Sequence, residues 1–163
     1  MIALIARAGC PVVFAAAVLA AGASKAADGA DPGAPIYAEQ CASCHDAAGA
    51  GVAGFGSPLA GPAAQRLKVA GEREYLALVV VHGIAGVFEL DGQRQFAAMP
   101  ASAALTDEQV ATVLNYVLRV QSAKTLPADF TVFTANEIAA ARKVARTPKD
   151  LHRVKLELER VAK

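Results

Sequence analysis

Apolar and polar positions along the chain follow patterns that change from segment to segment. The first is almost wholly apolar. Val12 to Ala23 reads VVFAAAVLAAGA without a charge, after a stretch whose only charge is Arg7. Ala21-Gly22-Ala23 and Ser24-Lys25-Ala26 then fit the small-x-small spacing of a cleavage site. The uncharged run of 12 residues is too short to span a bilayer. Residues 1–26 therefore read as a secretory signal peptide. Cys10 precedes the apolar run, which argues against a lipidated cysteine.

Helical spacing dominates the remainder. Asp28 to Pro35 (DGADPGAP) is a short linker or helix entry, and Ile36 to Cys44 reads as helix. Asp46 to Pro62, rich in Gly, Ala and Pro, reads as loop. Glu72 to His82 (EREYLALVVVH) is ambiguous, because a short apolar run is compatible with buried strand or helix. In Val87 to Phe96, Asp91-Gly92 between apolar residues signals a hairpin turn. Thr106 and Gln109 form a capping box, and Val110, Val113, Leu114, Val117 and Leu118 then recur at helical spacing through Val120. Thr134-x-x-Glu137 opens another helix. Thr147-Pro148 opens a last one, with Leu151, Val154, Leu158 and Val161 on one face. The pattern predicts a signal peptide over 1–26, a helical body over 27–121 and a two-helix extension over 122–163, with no internal repeat.

Charge sharpens this division. The chain has 163 residues, 55% of them hydrophobic and 19% charged. Residues 27–121 carry ten acidic and five basic side chains, whereas residues 122–163 carry five acidic and nine basic. The basic residues of the extension are spread over helical patterns, which argues against a nucleic-acid-binding arm.

The cysteines introduce chemistry. Of three, only Cys41 and Cys44 remain once the signal is removed. In an oxidising compartment such a close pair is bridged, metal-bound or otherwise covalently used. Here it lies in CASCH, residues 41–45. Cys-x-x-Cys-His is the signature of covalent haem attachment, in which two thiols on one helical stretch form thioethers and the next histidine, His45, becomes the proximal iron ligand. A zinc site would need a fourth ligand, and there is no second CxxC or HxxxH. A thioredoxin-like pair would need a βαβ setting, and the surroundings are helical.

The opposite face of the iron needs its own ligand. Apart from Met1, Met99 is the only methionine, and it stands before Pro100 in FAAMPAS. A thioether is a soft ligand suited to haem iron and raises its potential. A lone methionine more often fills a core, but Met99 lies in a turn-like stretch and is the favoured ligand. His82 is the competitor, read instead as a side chain near the haem edge or surface. His152 is read as a solvated helix residue.

The order of these pieces resembles the class I cytochrome c family over residues 31–121. Gly33 and Tyr37, eight and four residues before Cys41, match its small and aromatic positions. The resemblance implies a small all-α cytochrome c fold wrapped around one covalently attached haem c, with Val113 and Tyr116 as partners where the first and last helices cross. It also implies that Pro58-Leu59-Ala60-Gly61 forms the loop below the haem, placing Pro58 and Leu59 in the cofactor site, with the Pro58 carbonyl orienting His45. HGIAGVFELDGQRQFAAMP is similar to bacterial periplasmic monohaem cytochromes, which favours helix for Glu72–His82. Asp46 departs from the glycine that the family often has after the motif. The gas-binding c′ type, whose motif lies near the C-terminus, does not fit.

The implied function is periplasmic one-electron transfer with His45 and Met99 as axial ligands. Both axial positions filled leave no open site, so the chain reads as an electron carrier and not an enzyme. Donor and acceptor proteins are its expected partners, with no nucleic acid and no membrane span in the mature chain. The alternative is a dedicated cytochrome subunit of a periplasmic dehydrogenase or other oxidoreductase, docked through the C-terminal helices; the favoured reading of their apolar face is packing on the chain's own haem domain. A third reading, a haem sensor or enzyme with a labile Met99, ranks last.

Overall fold

A computed structural model describes residues 30–162 except Asp91. The signal-peptide assignment for 1–26 and Cys10 lie outside the described residues.

The first close contact follows from the absence of a side chain. Helix α1 (Gly33–Gln40) crosses α5 (Asp107–Tyr116) at Gly33, where a Cβ would lie 2.4 Å from the Tyr116 Cβ and 2.7 Å from the Thr112 carbonyl oxygen. Tyr37, one turn on, is 1% exposed, and its ring centre is 5.6 Å from that of Tyr116. Tyr116 is thus the expected partner; Thr112 supplies the backbone at the crossing, and Val113 is buried in the core.

After α1 the chain runs through the short turns α2 (Ala42–His45) and α3 (Pro62–Arg66) into α4 (Glu72–His82). Strands β1 (Ile84–Leu90) and β2 (Gln93–Met99) form a hairpin. Next come α5, a π-helical turn over Val117–Gln121 and a 3₁₀ turn over Ala123–Thr125. Helices α6 (Ala135–Lys143) and α7 (Pro148–Val161) complete the described chain. Helix dominates, as the all-α expectation requires, and the hairpin is the one sheet among the described residues.

Tertiary packing settles the segment that periodicity left open. Tyr75, Leu78 and Val81 of α4 are buried at a spacing of three, a helical stripe that a strand could not present. The hairpin pairs Val87 with Phe96 and Leu90 with Gln93, and Gly92 takes φ 74° in the turn. Gln95, Ala97 and Met99 are half-buried on one side of β2, while Arg94, Phe96 and Ala98 face outward.

Both extension helices begin at capping boxes, Thr134 with Glu137 and Thr147 with Asp150. They pack on the chain's own body. Phe133, Ile138 and Leu151 are buried in the same cluster as Tyr37, Val110 and Leu118, and Val154 and Leu158 pack against it. The face that suggested a partner subunit is therefore largely covered from within, and only Val161, 69% exposed, lies outside. Arg73 of α4 donates to both Glu137 carboxylate oxygens, at 2.8 and 3.1 Å, and to the Thr131 and Val132 carbonyls. Its guanidinium also lies 4.1 Å from the Phe133 ring centre. Buried Glu72 accepts from Arg66 Nε at 3.0 Å, and Arg66 reaches Glu159 of α7 at 3.6 Å.

Truncation of Leu151 to alanine is expected to cost about 2–5 kcal/mol, because its fully buried side chain leaves a cavity. Denaturant unfolding of the haem-loaded protein measures it; a loss below about 1 kcal/mol would show that α7 is not part of the cooperative core. A second expectation concerns acid. Hydrogen bonding from Arg73 holds the Glu137 carboxyl below the usual carboxylate range, assisted by Thr134. The unfolded chain therefore takes up this proton at higher pH than the folded one. The stabilisation is present above the unfolded pKa and is lost as pH falls through the lower folded value. Glu137→Gln should flatten the decline in stability as pH falls below the ordinary glutamate value of about 4.3. Parallel wild-type and variant curves would contradict the assignment.

Candidate functional site

Helix α1 ends at Cys41, whose N–H donates to the Tyr37 carbonyl at 2.9 Å. The Cys41 carbonyl then accepts from the N–H groups of both Cys44 and His45, at 3.1 and 3.0 Å. Cys41, Cys44 and His45 thus share one helical turn. Both thiols are free and half-buried. Burial, then repulsion from Cys44, pushes the Cys41 thiol pKa up. A redox-active pair needs the opposite, a thiol whose pKa is lowered.

His45 is oriented by a backbone acceptor. Its Nδ1 lies 2.8 Å from the Ser57 carbonyl oxygen. A carbonyl only accepts, so Nδ1 carries a proton, and in the neutral ring Nε2 is the nitrogen left with a lone pair. This corrects the expectation for Pro58, since the acceptor is the residue before it. The residue preceding a proline is biased to extended backbone, and Pro58 itself is exposed. Its direct contribution is to fix the chain just after the accepting carbonyl.

The loop is held close to the motif. Gly51 N–H donates to the His45 carbonyl at 2.9 Å. A Cβ on Gly56 would lie 1.8 Å from the Cys44 carbonyl oxygen, so no other residue fits there without moving the loop. Leu59 is half-buried against the core, and Gly49 O accepts from the N–H groups of Leu59 and Ala60 at 2.8 and 2.9 Å. Ser122, 1% exposed, donates through Oγ to the Leu59 carbonyl and accepts from the Gly61 N–H. Asp46 takes φ 65°, the only positive value at a non-glycine among the described residues. Its Oδ1 accepts from Ala48 N–H and its carbonyl accepts from the Tyr37 hydroxyl, both at 2.8 Å. The family's frequent glycine at this position has the same conformational explanation.

Met99 ends β2, half-buried against the core, on the same side of the strand as Gln95. Gln95 Nε2 donates to the Gly54 carbonyl at 2.8 Å, tying the hairpin to the loop that orients His45. Gly83, the C-cap of α4, leaves room for the Met99 carbonyl, which a Cβ would approach to 2.5 Å. His82 is engaged elsewhere, with Nε2 3.0 Å from the Ala141 carbonyl of α6. His152 differs from the solvated residue expected. Its Nε2 lies 2.9 Å from the Val87 carbonyl, its ring meets Phe88 edge-on at 4.9 Å, and it fills the space left by Gly86.

Ser57 and Gly56 act through their backbone, and Ser122 through a hydroxyl whose partners lie far away in the sequence, so no local spacing marks them. The available signal was the clustering of glycines around 49–61, which marks a loop but not its contacts. Two free thiols on one turn and an imidazole with its Nδ1 committed form a donor set that fits a covalently bound haem.

The comparisons with known proteins agree. The family model described as Cytochrome c matches residues 30–121. Cytochrome c-552 of Thermus thermophilus is 40% identical over 119 residues, covering 73% of this chain and 90% of that one. A second cytochrome c-552, from a named strain of the same species, is also 40% identical over 119 residues, with 73% and 80% covered. On the CASCH turn and these matches, the chain belongs to the cytochrome c family: an electron-transfer protein carrying haem c through Cys41 and Cys44.

Proposed function

We propose that the protein is a periplasmic monohaem electron carrier with His45 and Met99 as axial ligands. The observation that carries this reading is the 2.8 Å contact between His45 Nδ1 and the Ser57 carbonyl, on the turn that bears both thiols. It commits one ring nitrogen to the protein and leaves the other free to serve as a metal ligand. Bound here, haem c supplies a reversible change of one electron between ferric and ferrous iron. Cys41 and Cys44 would hold the group covalently, and Leu59 and Pro58, in the loop that orients His45, would line its site. Met99 provides a soft sulfur on the inner side of the hairpin.

The organisation follows the composition: leader 1–26, haem-bearing body 27–121 and basic extension 122–163. The leader-like pattern supports a periplasmic location, and among the described residues no helix is long and apolar enough to cross a membrane. Redox partners dock transiently, as rapid turnover of carriers requires. The acidic body steers toward basic partner surfaces, and the basic extension breaks the field into two signs.

The test is an optical spectrum of the protein matured with haem-attachment machinery. A low-spin c-type spectrum with the weak sulfur-to-iron charge-transfer band in the oxidised form is expected. Met99→Ala should retain haem, lose that band and lower the potential. Replacing His45 should abolish the stable holoprotein. An unchanged potential in Met99→Ala would exclude Met99 as ligand, and an intact low-spin spectrum without His45 would exclude the proximal assignment.

A further inference from the structure

The segment from Met99 to Leu105 joins β2 to α5 with few bonds of its own. Ser102 N–H donates to the Val80 carbonyl of α4 at 3.0 Å, and Leu105 N–H to the Ser102 carbonyl at 3.3 Å. Two adjacent residues of α6 brace the structures at either end. At one, the Ala141 carbonyl accepts from His82, the residue before Gly83, against which the Met99 backbone packs. At the other, Arg142 Nη2 donates to the Leu105 carbonyl at 2.6 Å and Nε to Asp107 Oδ1 at 2.5 Å. Asp107 opens α5 immediately after the Thr106 cap. One guanidinium therefore fixes where this segment enters α5, from a helix remote in sequence.

We propose that Arg142 is a positioning residue for Met99, acting through the Leu105 carbonyl and Asp107, and that α6 thereby keeps the sulfur ligand in place. The inference rests on Met99 being the sixth ligand. Its physical content is an equilibrium. An added ligand binds only when the methionine is off, so its apparent affinity follows the fraction dissociated. A brace on the segment lowers that fraction. Arg142 and Asp107 are only 30% and 28% exposed, and charged hydrogen bonds in such a setting are among the stronger ones. A merely structural role predicts something else: loss of global stability with no change in methionine lability well below the unfolding temperature.

Imidazole titration of the oxidised holoprotein, followed by the sulfur-to-iron band, distinguishes the two. Wild type is measured first; absence of the band would overturn the Met99 reading and this proposal with it. With the band present, Arg142→Ala should keep its haem and bind imidazole about tenfold more tightly. Arg142→Lys, which keeps the charge but loses the two-armed geometry, should fall between. Should Arg142→Ala fail to fold, the lysine variant carries the test, with any tightening of at least about threefold counting in favour. Arg73→Ala is the control. It breaks the contacts of α6 and its preceding loop to the first turn of α4, away from the Met99 segment. It should lower the unfolding midpoint and leave imidazole affinity at the wild-type value. Wild-type affinity in the Arg142 variants, or equal tightening in Arg73→Ala, would overturn the proposal.

Discussion

The hydrogen bond from His45 Nδ1 to the Ser57 carbonyl is the constraint on which the site depends. A histidine on a free turn can rotate and present either nitrogen. Here a backbone acceptor removes that choice, and the acceptor must itself be held. The glycine-rich loop does this through close contacts that side chains would obstruct. Gly56 lies against the Cys44 carbonyl, and Gly51 donates to the His45 carbonyl. The end of the loop is tied in turn to the π-helical turn after α5 by Ser122, whose hydroxyl serves both Leu59 and Gly61. A series of hydrogen bonds and close contacts thus links His45 to the π-helical turn at the end of the body.

The second organising feature is the extension. Its charge differs from that of the body, and its apolar residues complete the body's core. Ile138 and Leu151 are fully buried, and Arg73, Arg142 and the Arg66–Glu159 contact are among the bonds that hold it to the body. Each of these bonds joins residues far apart in sequence. An acidic body and a basic tail therefore attract one another as well as any partner. This internal use of charge is consistent with helices that have little exposed apolar surface beyond Leu156 and Val161.

Local signals were legible where physics is local. The helix starts at Thr106, Thr134 and Thr147 follow from side chains that satisfy free N–H groups within one turn. Asp91-Gly92 marked the hairpin because a tight turn needs a residue that tolerates positive φ. The CASCH spacing specified attachment chemistry for the same reason. By contrast, Glu72–His82 was ambiguous because a short apolar run buries equally well as strand or helix. The acceptor for His45 was misplaced by one residue because loop register depends on close packing around glycines. His152 was misjudged because the cavity it fills is made by Gly86 in another element.

The sequence by itself determined the covalent chemistry and the helix starts at Thr106, Thr134 and Thr147, since these depend on residues within a turn of one another. Only the tertiary structure decided that Ser57 orients His45, that His82 is engaged with α6, and that the extension closes the core. Those outcomes depend on contacts between residues distant along the chain, whose free energies come from shape and burial that no local spacing encodes.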